Sequence, residues 1–535
     1  MGPRRSTELL LPLQRGEAGE GLTRQIYAQL RAAILDGRLR SGDRLPPSRA
    51  LARQLDVARL TVATAYDWLR AEGYVYGRVG AGTFVAPVFE AYPSAAQSST
   101  APSSAIAKPQ HAARTSDTHA SSAPPVPLSA WAQRIASIPL LGAGSGESAP
   151  FDLRPGVGDA ETFPWARWRR VVGWQDPVDP LAEQRRRQRE SAARAGRWDA
   201  LLGPIETREA IAGWLRRSRA VRCEPDQILI AGSVQQMLAL LARLLVEPGE
   251  SGHLLVEDPS YIGFHAAFLA EGATLVGIPV DEQGLRVDAL PSPERRGVPR
   301  TPMAARLAIV TPSHQYPTGV TLSLERRVAL LEWARRAGVV LVEDDYDGDL
   351  RLEGQPLEAL RGLDDRDEVI YLGTFAKALY PAVRLAFAVL PHWLVEPVAR
   401  ARAASDRHPT WRDAEAVARF IEAGELERHL ARIRRLYRSR RDALVAALHD
   451  ELGELLAVGP AEAGNHLLAR LPDGVDDHAL EDAAREQGIA FSALSPHFRE
   501  VPRPGMLLGF GALDEDRLRQ AVARLAPLVR ATVRE

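Results

Sequence analysis

Apolar and polar positions follow two different rhythms along this chain. Near the start, Leu22, Ile26, Leu30, Ala33 and Ile34 recur at the spacing of one helical face, which predicts a helix over 22–35. Gly37 and Gly42 break that pattern. Pro46, Pro47 and Ser48 then open a second helix over 48–55, with the serine in a favoured capping position. A short turn at 56–58 leads to a third helix over 59–72, and residues 74–78 and 83–85 flank Gly80–Gly82 as a two-stranded wing. From about residue 225 the rhythm changes. Continuous apolar runs at Ile228–Ile230, Leu254–Val256, Leu307–Val310, Val339–Val342 and Val369–Leu372 alternate with helical patterns. Uninterrupted apolar strands between helices predict an α/β fold with a mostly parallel sheet buried on both faces. Ligands of such sheets bind beyond the carboxyl ends of the strands. Polar residues follow each run, so five strand ends point chemistry at one crevice.

Between the two rhythms lies a segment that can bury little. Residues 91–130 hold 11 Ala, 9 Ser and 6 Pro, too few large apolar groups to offset the entropy of ordering. The expected organisation is a first domain over 1–86, a flexible linker over 87–148 and a large domain over 149–535. Charge follows the same division. Residues 1–90 carry 13 arginines against 9 acids, a net +4, while the chain as a whole carries −1. A positive small domain ahead of an acidic large one points to a polyanion partner for the first. No run of 18 apolar residues occurs, so no membrane helix is expected. The one cysteine, Cys223, excludes a disulfide framework and a cysteine metal site, and it suits a cytoplasmic protein. No metal is expected.

The lysine count is more telling. Of 67 basic residues only Lys108 and Lys377 are lysine. Arginine replaces lysine freely on a surface, but it cannot replace an amine that must lose its proton. Lys108 lies in the low-complexity stretch. Lys377 lies at the end of a predicted strand, in GTFAK, and is the candidate nucleophile. Thr374 precedes it by three residues, and Arg384 follows by seven. A hydroxyl, a guanidinium and the amides of a helix start near Gly232–Gln235 suit a phosphate dianion. Asp344, at the end of another buried strand, requires a cation. Pyridoxal 5'-phosphate (PLP) meets all three demands: a phosphate, a group that condenses with an amine, and a protonated ring nitrogen.

Two short helices joined by a tight turn read as a helix-turn-helix, although three helices with two strands also serve as protein-interaction modules. The wording LPPSRALARQLDVARLTVATAYDWLRAEGYVYGRVGAGTFV, from Leu45 to Val85, resembles the winged helix of the GntR regulator family. That resemblance implies DNA contacts from Arg49, Arg59 and Thr61, with Gly80 at the wing tip. Ala58 departs from the serine or threonine usual before the third helix, a loss of about 1 kcal/mol of capping.

Residues from about 150 to 535 resemble fold-type I aminotransferases, which implies a smaller C-terminal α/β subdomain as well. The resemblance implies that Lys377 forms the internal aldimine with PLP and that Asp344 pairs with the ring nitrogen. It further implies that Tyr346, in EDDYD, bonds the ring hydroxyl and that Tyr261, in DPSY, stacks on the ring. Ser233, Thr374 and Arg384 would hold the phosphate. Two positions depart from the enzymes. Tyr316, in SHQYPTG, stands where they carry asparagine, and the late strand at 506–510 lacks a carboxylate-clamping arginine, Arg503 being nearest.

The order of winged helix, linker and aminotransferase-like domain resembles the MocR/GabR group of bacterial regulators. It implies a homodimer, a double-stranded DNA operator with two half-sites, and a small amine or amino-acid effector sensed by transaldimination at Lys377. The alternative is a working PLP-dependent aminotransferase with an accessory DNA-binding domain.

Overall fold

The computed structural model describes residues 11–13, 21–78, 81–86, 127–136, 138, 149–158, 160–172, 185, 199–247, 253–292, 305–354, 357–379, 383–407 and 411–534. Contacts divide the chain into two units, 1–120 and 121–535. In the first, α1 (Leu22–Leu35), α2 (Ser48–Leu55) and α3 (Arg59–Ala71) enclose a core of Ile26, Leu30, Leu51, Val62 and Leu69. The buried face of α1 is the one expected from the periodicity. β1 (Val75–Arg78) pairs antiparallel with β2 (Gly82–Val85), forming the wing. Ala58 is the N-cap of α3 and makes no side-chain capping bond, as its missing hydroxyl requires.

The second unit is built on an eight-stranded sheet. Its strands are β4 (Ile228–Ala231), β5 (His253–Asp258), β6 (Thr274–Asp281), β7 (Gly284–Leu285), β8 (Leu307–Val310), β9 (Val340–Asp345), β10 (Val369–Thr374) and β11 (Ala386–Val389). Their spatial order is β4-β11-β10-β9-β8-β5-β6-β7. From β10 across to β6 every pairing is parallel. The residues of β4, β8 and β11 are all buried, as continuous apolar runs demand.

The sequence reading did not include β11, and its direction matters. It pairs antiparallel with both β10 and β4, so β4 runs the same way as β10 although the two do not touch. The carboxyl ends of β4, β5, β8, β9 and β10 therefore lie along one sheet edge, and β11 begins at that edge. Arg384, two residues ahead of β11, is thereby brought to the edge where Thr374 ends β10.

A smaller antiparallel sheet, β12 (Ala457–Val458), β13 (His466–Arg470), β15 (Ser492–Ala493) and β16 (Gly505–Gly509), forms the C-terminal α/β subdomain in the order β12-β13-β16-β15. A short parallel pair joins β3 (Phe151–Asp152) to β14 (Ile489–Ala490). Residues 87–126, the greater part of the expected linker, lie outside the described residues. Within its remainder, Ala130–Ala136 is helical, and Trp131 Nε1 donates to Glu271 while Arg134 Nε donates to the Ala270 carbonyl. No helix among the described residues is long and apolar enough to cross a membrane.

Candidate functional site

A cavity of about 400 Å³ opens at the sheet edge where the strand ends converge. Lys377, Asp344, Tyr346, Tyr261, Ser233, Thr374 and Arg384, all expected from the sequence, line it.

Ser233 is the N-cap of the helix Val234–Leu245 and accepts the Gln236 amide at 3.2 Å. The Gly232 amide is taken by Gln236 Oε1 at 2.9 Å. The first helical turn, at 234 and 235, is left to offer its N–H groups to an anion. Thr374 Oγ1 accepts the Ala376 amide at 3.2 Å, and Arg384 adds a guanidinium to the same wall. This end of the cavity can hold a phosphate.

Asp344 sits at the opposite demand. Its residue is 6% exposed and its Oδ1 has no hydrogen-bond partner. Burial, then Asp345 and Asp347, push its pKa well above the ordinary carboxylate value, against the pull of Lys377. The neighbour Asp345 points to the other face of β9, as the two-residue strand period requires. There it is satisfied: Arg219 Nε donates to it at 2.7 Å and Tyr371 Oη at 2.6 Å. Consecutive carboxylates thus serve separate purposes, one as a buried strut and one as an unpartnered buried carboxyl that a cation would draw into its charged form.

Lys377 lies between these poles. Burial lowers its pKa, opposed by Asp347 and Asp344, which favours the neutral, nucleophilic amine. Its Nζ lies 3.4 Å from the Gly156 carbonyl. Gly156 has φ +79°, and a β-carbon there would overlap Nζ, so the amine occupies space that only glycine leaves open.

Tyr346 Oη lies 2.9 Å from His314 Nδ1, and Asp347 Oδ2 lies 2.8 Å from the same nitrogen. Tyr261 and Tyr316 meet edge to face with centroids 5.5 Å apart. His314, Asp347 and His466 bring ligand-type atoms within 4.8 Å of one another, a grouping the sequence reading did not include. Hydrogen bonding already occupies the Asp347–His314 pair. Arg503 is exposed and does not line the cavity.

Sequence reasoning missed Gly156, Thr311, Asn465 and His466, which also line the cavity. Gly156 and the Asn465–His466 pair come from segments more than 80 residues from Lys377, with no local motif to mark them.

In the winged helix, Arg49 on α2 and Arg59 at the start of α3 are exposed, and Thr61 is half-buried within the first turn of α3. Gly80 lies outside the described residues. Arg78 covers the Tyr76 and Phe84 rings, 5.6 Å from each centroid.

Comparison with known proteins agrees with both halves. Residues 22–85 match the gntR family of bacterial regulatory proteins, and residues 176–525 match aminotransferase class I and II. The chain is 35% identical over 512 residues to the probable rhizopine catabolism regulatory protein MocR of Rhizobium meliloti, covering 95% of this chain and 94% of that protein. It is 31% identical over 508 residues to the pyridoxine biosynthesis transcriptional regulator PdxR of Corynebacterium glutamicum, covering 94% and 95%. Among solved structures, the kynurenine aminotransferase of Pyrococcus horikoshii superposes with a TM-score of 0.61 at 28% identity, covering 72% of this chain and 92% of the enzyme. A winged helix matched by the gntR family of bacterial regulatory proteins, joined to the aminotransferase class I and II fold and aligned to MocR almost end to end, places this chain in the MocR/GabR group of GntR-family transcriptional regulators.

Proposed function

We propose that this regulator binds PLP at Lys377 and responds to an amine-bearing metabolite by changing how it engages DNA. The observation that carries the reading is the unpartnered Asp344 Oδ1, buried in a cavity that also holds a neutral-leaning amine and an open helix start. Asp344 would hold a protonated pyridine nitrogen, and the first turn after Ser233, with Thr374 and Arg384, would hold the phosphate. The residues present fit the cofactor. When bound, PLP supplies an aldehyde that condenses with amines and a ring that withdraws electrons.

The chain's own groups supply the rest. Tyr261 lines the cavity and would stack on the ring. Tyr346 offers its hydroxyl to the ring, held in place through His314 and Asp347. An effector amine competing with Lys377 would leave the lysine amine beside Asp344 and Asp347 and would change the contacts of Tyr261 and Tyr316. Only such a difference between states can shift a conformational equilibrium. On the DNA side, Arg49, Arg59 and the wing approach phosphates, while α3 from Thr61 onward enters a major groove. The working form in this reading is a cytoplasmic homodimer on two operator half-sites.

Borohydride reduction of purified protein followed by peptide mass spectrometry tests the foundation. A pyridoxyl adduct on the Lys377 peptide, lost in Lys377→Ala, is expected; an unmodified Lys377 overturns the reading. Operator binding by Lys377→Ala is expected to lose its response to amines while retaining affinity for DNA. Sustained keto-acid production at turnover above about 1 s⁻¹ would instead favour an enzyme.

A further inference from the structure

Leu60 is 76% exposed, more than any other large apolar side chain among the described residues. Single apolar groups at a surface are ordinary. The place of this one is not: it is the second residue of α3, between Arg59 and Thr61.

Helix geometry fixes which way it points. At 100° per residue, Leu60 stands about 200° from Val62 and about 180° from Leu69, and both of those are fully buried. Leu60 is therefore opposite the packed face. That face is held in place by Tyr66, whose hydroxyl donates to the Pro46 carbonyl at 2.8 Å. Turning α3 about its axis would break both the core and this bond. The outward face continues from Leu60 to Ala63, Thr64 and Asp67, at spacings of three, four and seven. Ala63 and Thr64 are half-buried, and Asp67 is already paired with Arg70 at 3.1 Å. The first two turns thus present methyl groups and one hydroxyl outward, while Arg59 lies about 100° to the side.

That composition narrows what the helix can read. Where a recognition helix enters the major groove, its N-terminal residues meet base edges. Guanine is read there by arginine or lysine and adenine by asparagine or glutamine, and this face carries none of them. Cytosine calls for a carboxylate, and the one here is engaged with Arg70. A threonine hydroxyl bonds donors and acceptors alike, so Thr64 discriminates little. What remains is the 5-methyl group of thymine, which an apolar side chain contacts. Leucine against that methyl removes two apolar surfaces from water at once. We infer that Leu60 reads a thymine methyl in the operator, so that it sets sequence choice while the exposed arginines supply affinity.

The inference rests on DNA binding through α3, and one experiment separates the two. Purified full-length protein selects duplexes from a randomised library. Each thymine of the selected site is then replaced singly by deoxyuridine, which removes the 5-methyl group and leaves base pairing intact. Fluorescence anisotropy at fixed salt gives the affinity of native protein and of Leu60→Ala. At one thymine the replacement should weaken native binding about fourfold, the worth of one buried methyl group. In Leu60→Ala the same replacement should cost less than about 1.5-fold, because its contact is already gone. Alanine is the best helix former, and an unchanged melting transition of the variant reports an intact fold. If no thymine methyl matters to native protein, or if every loss is equally large in Leu60→Ala, the inference alone is overturned. Failure of the library to enrich any duplex overturns the DNA reading and this inference with it.

Discussion

Arg49 and Arg59 stand exposed on the winged helix, whereas Asp344 is 6% exposed and Lys377 is held between Gly156 and the strand edge. Both regions are arranged for a charged partner, and the contrast shows two ways of holding one. Exposed arginines act in water, where each contact is weak and screened by salt, so DNA is held by many contacts together. The buried carboxylate and amine act where charges interact strongly, but each must be matched by position and sign. Small geometric changes should therefore cripple the cavity and only trim the winged helix.

The largest expected effect follows from removing the buried charge. Asp344→Asn should weaken PLP binding by roughly 3 kcal/mol, about 100-fold, because a buried cation then loses its partner; equilibrium titration of cofactor-free protein measures it. A pH experiment sharpens the point. The raised pKa of Asp344 means that cofactor-free native protein retains a proton that the unfolded chain has lost. That contribution to stability is fully present below the ordinary carboxylate value and is lost as pH rises through the raised one. Thermal midpoints of cofactor-free protein should carry this downward component with rising pH, and Asp344→Asn should lack it. An unchanged pH profile in the variant would contradict the assignment.

Gly156→Ala comes next. It combines a left-handed backbone, costing about 1–2 kcal/mol, with overlap at Lys377 Nζ. Slower PLP loading and a lower melting temperature are expected, and stopped-flow absorbance with calorimetry reads both.

The winged helix should respond more mildly. Ala58→Ser restores an N-cap hydroxyl to α3 and should stabilise that domain by about 1 kcal/mol, raising its unfolding transition by roughly 4–8 °C. Arg59→Ala should cost at most about 1 kcal/mol of DNA affinity at physiological salt, as exposed ion pairs do. If Arg59 neutralises one phosphate, the slope of log affinity against log salt should also become shallower by about 0.9. A loss on the scale of Asp344→Asn, or a slope left unchanged, would break the comparison between the two regions.

The two regions were also unequally legible. All three winged-helix helices could be placed from the sequence, the first by its helical spacing and the other two by the cap at Ser48 and the turn at 56–58, because their signals are local. In the large domain, the rarity of lysine singled out Lys377, the strand ends brought out Asp344, and the resemblance to aminotransferases added Tyr346 and Tyr261. The helix at 130–136 escaped notice because it shows too little of an apolar face and gains its contacts from Glu271 and Ala270. His466 escaped notice because a buried histidine carries no local mark of what it faces.

What the sequence by itself determined is the cast: a basic winged helix, a sheet of apolar strands, and Lys377 as the candidate nucleophile. The tertiary structure alone decided the wiring. The antiparallel β11 turns Arg384 towards Thr374, the two faces of β9 separate Asp344 from Asp345, and the turn at Gly464 delivers Asn465 and His466 to Lys377. Sequence spacing encodes which face of its own helix or strand a residue occupies. Which groups from distant segments share one cavity is set by strand order and close packing, and no local pattern carries that information.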